Sequence, residues 1–178
     1  MTDWGPDTVA VRGGLARSPF DETAEALYLT SGYVYSSAQE AADAFSDDID
    51  RFMYSRFGNP TVAMFEERMR LMEGAEAAFA TSTGMSAVFT ALGALVGAGD
   101  RIVASRELFG SCLVVVDDIL PRWGVRTTLV DGTDLDAWAA ARATPAQAVF
   151  FESPSNPMQP GVDIAAVSTL AQDARATV

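Results

Sequence analysis

Apolar positions along this chain fall into two unlike regimes. Residues 1–58 hold no steady period, because turn signals at Gly13-Gly14, Ser18-Pro19, Ser31-Gly32 and Gly58 cut the segment into short pieces. Within it Leu27–Tyr35 is aromatic and extended-looking. Ser37–Phe45 predicts a short helix opened by a capping box, Ser37 with Glu40 three residues on. From Asn59 a rhythm begins. Asn59-Pro60 supplies an N-cap residue and then a proline at the first helical position. Val62, Phe65, Met69 and Met72 keep near-helical spacing, and Gly74 ends the run. Ala77–Thr81 predicts a short strand, Gly84–Val96 an apolar buried helix and Asp100–Ser105 a strand. Gly110–Trp123 predicts a helix that meets Pro121 near its end, Arg126–Val130 a strand and Asp134–Arg142 a helix. Gln147–Phe151 is a buried strand, and after the proline-rich loop at 153–161 comes a last helix, Asp163–Arg175.

Strands and helices alternating at this interval predict an α/β fold, a mainly parallel sheet with helices on both faces. The chain divides into an irregular segment, 1–58, and an α/β part, 59–178. In such a chain Ala176-Thr177-Val178 should begin another strand. The reading is therefore the N-terminal part of a larger protein; a complete small α/β domain with a frayed tail is the alternative.

Composition narrows the chemistry. There are 178 residues, 49% apolar and 20% charged, enough for a packed core. The net charge of −12 argues against a phosphate-neutralising nucleic-acid partner or an anionic membrane surface. There is no histidine, which removes the histidine-based triads, dyads and metal sites, and no metal site is expected. All 12 basic residues are arginine, so no side chain can form a Schiff base and no catalytic residue is assigned. Cys112 is the sole cysteine and is read as a small core hydrophobe. The start has no secretory core, and no run is long enough to span a bilayer; a cytoplasmic protein is expected.

Four segments are candidates for chemistry. Thr81–Ser86 sets small residues before an apolar helix, where Gly84 and Met85 can offer first-turn N–H groups to an anion and Ser82 a hydroxyl. Tight packing alone also explains such a junction. In Tyr54–Thr61 a tyrosine and an arginine two residues apart point the same way in extended chain, a phosphate clamp formed by Tyr54 and Arg56. A packed tyrosine beside a surface arginine is the ordinary alternative. Glu152–Pro157 follows the strand Gln147–Phe151, at the strand end where α/β sheets gather ligands, with Asn156 in a stiffened loop. A proline-shaped turn explains it equally. Glu107–Cys112 carries Phe109 before a glycine, a flat ring for a planar cofactor or else a core aromatic.

Taken in order, YSRFGNPT, ATSTGMSAV, ELFGSC and FFESPSNPMQ resemble the Cys/Met-metabolism family of pyridoxal-phosphate enzymes, the trans-sulfuration enzymes. The resemblance spans residues 54–159 and implies an aspartate-aminotransferase-like fold, here truncated. It implies pyridoxal 5′-phosphate as cofactor. Gly84 and Met85 N–H groups and Ser82 would meet the phosphate, Phe109 would stack on the pyridine ring, Asn156 would lie beside the ring oxygen and Glu152 would support the loop. Tyr54 and Arg56 would reach the phosphate of a neighbouring subunit, with 1–58 an arm across that interface, a dimer at least and a homotetramer by resemblance. Phe109, where many relatives have tyrosine, points to members that replace the succinyl group of an activated homoserine with sulfide. Cystathionine synthase, acetylhomoserine sulfhydrylase and methionine lyase activities are alternatives inside the family; a non-catalytic phosphate-binding or interaction domain is the alternative outside it. The family's Schiff-base lysine, its aspartate for the pyridine nitrogen and its arginine for the substrate carboxylate would all lie beyond position 178. This chain by itself is expected to be inactive.

Overall fold

The computed structural model describes residues 4–178, so the first three residues of the predicted arm lie outside it. The chain forms two compact units, one running to Ala80 and one from Thr81 to Val178. The helix that the sequence assigned to the α/β part, 60–73, lies in the first unit.

In the first unit α1 (Pro6–Arg12), α2 (Ala38–Phe45) and α3 (Pro60–Glu73) are joined by irregular chain. The sequence reading left α1 out. Its helix rests on Pro6 at the start, Asp7 in the first turn and Arg12 in the last, and it buries no side chain. In α2 the Ser37 hydroxyl accepts the Glu40 N–H, while the Glu40 carboxylate accepts from Ser36, one residue before the cap. α3 is capped by Asn59, whose side chain accepts the Thr61 N–H, and ends on Gly74 in the left-handed region. Gly14, at φ +71, packs so closely that a Cβ there would sit 2.5 Å from the Met64 carbonyl oxygen on α3. Leu27–Tyr35 is extended coil, with one antiparallel bridge between Gly32 and Tyr54. The strand expected at Ala77–Thr81 is absent among the described residues. The Ala80 N–H, which a strand would need for its ladder, donates instead to the Glu66 carboxylate, 2.7 Å.

The second unit is the α/β body. β1 (Arg101–Ser105), β2 (Arg126–Val130) and β3 (Ala148–Phe150) form a parallel sheet in the order β2-β1-β3. Arg101 pairs with Arg126, and Ile102 with Ala148. Alternation along β1 splits the core between the two faces. Ile102 and Ala104 join Leu92 of α4 (Gly84–Leu95), Cys112 of α5 (Gly110–Val114) and Leu120 of α6 (Leu120–Arg122). Val103 joins Trp138 of α7 (Leu135–Ala141) and Val167 of α8 (Ile164–Asp173). A π-helical turn at Val115–Ile119 separates α5 from α6, just before Pro121, which has no N–H to continue the ladder. The helix at 84–95 was expected to be buried. Leu92 alone in it is buried, while Met85, Val88 and Phe89 lean on the core and the rest faces outward. At the chain's end Thr177 forms a parallel bridge to Ala148, its carbonyl accepting the Val149 N–H at 2.7 Å, where another strand was expected to begin. No described helix is long and apolar enough to cross a membrane.

Candidate active site

The first unit presents Tyr54 and Arg56. The segment is not extended: the Phe57 and Gly58 N–H groups both donate to the Tyr54 carbonyl, making a turn. The turn still leaves Arg56 beside Tyr54, its guanidinium carbon 5.4 Å from the Tyr54 ring centre and 4.7 Å from that of Phe57. The rest of the motif holds the turn in position. The Asn59 amide donates to the Tyr28 carbonyl at 2.9 Å and to the Ser55 hydroxyl at 3.0 Å. Thr61 Oγ1 donates to the Ala26 carbonyl and accepts the Tyr28 N–H. Ser55 donates to the Thr30 carbonyl. Ser55, Asn59 and Thr61 thus fasten the loop, and Tyr54 and Arg56 are left with exposed polar ends.

In the second unit Phe109 follows the carboxyl end of β1, Glu152 and Asn156 follow that of β3, and Ser82, Gly84 and Met85 lie at the start of α4. At the start of α4 the Thr83 hydroxyl accepts the Ser86 N–H and the Thr83 carbonyl the Ala87 N–H. Gly84 and Met85 are then the unbonded first-turn donors. A Cβ built at Gly84 would meet no atom within 4 Å, so the glycine is not required by packing inside this chain. Met85 reaches the next segment, its sulfur 3.8 Å from that of Cys112. Phe109 ends the loop after β1, is 43% exposed and lies outside both core clusters of this chain. Its N–H donates to the Glu152 carboxylate at 2.9 Å, joining the end of β1 to the end of β3. Burial, and then the neighbouring Glu152 carboxylate, push the Cys112 thiol up to about 11, in keeping with an inert core residue. Met85, Phe109 and Glu152 are therefore brought together around Cys112. Ser82 and Asn156 are exposed, and the Asn156 amide joins none of the bonds that hold its loop, which run through Ser153, Ser155 and Val162.

Sequence reasoning missed Glu107. Its Oε2 accepts the Ser105 hydroxyl at 2.8 Å and the Gly132 N–H at 2.9 Å. Burial pushes its carboxyl up, but the bonds from Gly132, Ser105 and its own N–H outweigh that, and its pKa lies below the ordinary value. An acidic residue two places after a buried strand was the available signal.

Residues 7–178 match the family described as Cys/Met metabolism PLP-dependent enzyme. The chain belongs to that family. It is 66% identical over 171 residues to an O-succinylhomoserine sulfhydrylase of Mycobacterium tuberculosis, covering 96% of this chain and 42% of that protein. Against the Pseudomonas aeruginosa protein of the same name it is 44% identical over 165 residues, covering 93% and 41%. Among solved structures, an O-acetylhomoserine (thiol)-lyase from Campylobacter jejuni bearing N′-pyridoxyl-lysine-5′-monophosphate superposes with a TM-score of 0.90 at 25% identity. That match covers 98% of this chain and 44% of the other. The chain thus spans about two fifths of the length of the curated relatives.

Pyridoxal phosphate is the cofactor of this family. The residues here fit parts of it. Two unbonded N–H groups with open space at Gly84 suit the phosphate, and an exposed aromatic ring on a tethered backbone suits the pyridine. Nothing in this chain suits the aldehyde, since there is no lysine.

Proposed function

We propose that this chain is part of an enzyme that exchanges the succinyl group of O-succinylhomoserine for sulfide, giving homocysteine. The observation that carries the reading is the 66% identity, over nearly the whole chain, to a protein of that activity. When bound, pyridoxal phosphate supplies an electron sink for carbanionic character next to the substrate's amino group. The chain's own residues bind and orient. Gly84 and Met85 donate backbone N–H groups to the phosphate and Ser82 adds a hydroxyl. Phe109 lies flat on the ring, Asn156 sits beside the ring oxygen, and Glu152 holds the Phe109 loop. Tyr54 and Arg56 complete the phosphate site of a neighbouring copy, so the working form is a homo-oligomer, a homotetramer in the cytoplasm. With no lysine, this chain alone binds the cofactor weakly and does not turn over.

Two measurements test this. The gene product should prefer O-succinylhomoserine to O-acetylhomoserine and sulfide to cysteine, and the reverse preference on either axis moves the assignment to another member of the family. No turnover with any pair leaves a binding domain. Borohydride treatment of the 178-residue chain with pyridoxal phosphate should label the N-terminal amine alone.

A further inference from the structure

We propose that Glu107 and Glu152 act together as positioning residues for Phe109, clamping the β1–α5 loop from both ends so that the ring meets the cofactor at a fixed angle. This rests on the reading of Phe109 as the stacking ring. Phe109 is 43% exposed and outside both core clusters, so within this chain the hold on it comes through its backbone. Two acceptors hold the loop that carries it, one of them on the Phe109 N–H itself. At the far end Glu152, following β3, takes the Phe109 N–H, and α5 has no side-chain cap of its own. At the near end Glu107 takes both the Ser105 hydroxyl and the Gly132 N–H, which joins the loop to the turn after β2. That turn is itself held, because the Gly132 carbonyl accepts from the indole N–H of buried Trp138 at 3.1 Å. The fit is close: a Cβ at Gly132 would lie 2.5 Å from Ser105 Oγ and 3.3 Å from Glu107 Oε2. Neither carboxylate pairs with an arginine among the described residues, so both serve as acceptors for the loop.

The test uses the gene product loaded with pyridoxal phosphate and reads the circular dichroism of the cofactor band, which reports ring asymmetry. F109L sets the scale for a lost stack. E107A and E152A should each lose the larger part of the band, as F109L does, while E107Q and E152Q, which keep an acceptor oxygen, should retain it. In the cofactor-free protein, E152A should also speed hydrogen exchange at the Phe109 amide roughly tenfold or more, the loss of a charge-assisted bond. Alanine variants with an unchanged band, or glutamine variants that fall as far as alanine, overturn the proposal. An F109L band equal to wild type overturns the stacking reading and the proposal with it. If the alanine variants do not fold, E107D and E152D, one methylene short, are read by the same criteria.

Discussion

The two compact units hold their candidate residues by opposite means. In the first, Ala44 and Met64 are the buried apolar side chains among the described residues, while Phe20, Leu29 and Val34 are almost fully exposed. Its turn at 54–58 is fixed by polar staples from Asn59, Thr61 and Ser55 to the backbone of 26–30. In the second, both faces of a parallel sheet are packed, and the candidates ride on strand ends and helix starts. A loop fastened by hydrogen bonds contributes about 1 kcal/mol per bond, whereas a filled core residue contributes several times that. The difference teaches that Arg56, the arginine proposed to meet a phosphate, sits on the weaker scaffold.

The largest expected effect tests the strong half. Ile102 is fully buried on the inner face of β1, and I102A should cost about 3 kcal/mol, read by chemical denaturation. Next comes the staple. N59A removes a helix cap and two donors at once and should cost about 2 kcal/mol, with faster hydrogen exchange at the Thr61 and Ser55 amides. A cost no larger than an ordinary cap, about 1 kcal/mol, would mean the staple is not cooperative and would break the contrast.

What was legible in the sequence follows the same division. The three strands, the caps at Ser37 and Asn59 and the stop at Gly74 were readable because each depends on neighbours in sequence. α1 was not, since it buries nothing and so carries no apolar period. Ala77–Thr81 has strand composition, but Glu66, a residue far along the chain, takes its Ala80 N–H. Tyr54 and Arg56 lie side by side, but on a turn and not along the extended chain that the spacing predicted. Glu107 escaped because its role depends on Gly132, which folding alone brings beside it.

A smaller effect is expected at one exposed position in each unit. Gly84 has open space, and Arg56 lies over the Tyr54 and Phe57 rings without an ion pair among the described residues, so G84A and R56A should leave the melting temperature nearly unchanged. R56A should weaken pyridoxal phosphate binding in the gene product roughly tenfold, one charge-assisted bond's worth, and G84A should weaken it comparably by setting a methyl in the open space the phosphate would fill, its backbone N–H being retained. The double variant decides whether they serve one phosphate. Groups meeting at one anion are coupled, so the losses should not add; additivity within about 0.5 kcal/mol would assign them to separate ligands.

The smallest effect concerns the second unit's one thiol. Cys112 titrates at about 11, raised by burial first and by Glu152 second. Because the folded value lies above the unfolded one, the thiol's contribution to stability is complete below pH 9 and is lost as pH rises toward 11. Glu107 has the opposite sign: its pKa is lowered, so its contribution is present near neutrality and is lost as pH falls through that lowered value. E152Q removes the charge but keeps an acceptor for the Phe109 N–H. It should lower the Cys112 pKa while leaving the larger burial effect in force, and the alkylation rate of Cys112 at pH 9, followed on its own peptide, should rise. An unchanged rate would mean that Glu152 does not face the thiol, and the gathering of Met85, Phe109 and Glu152 around Cys112 would lose the carboxylate that ties β3 to it.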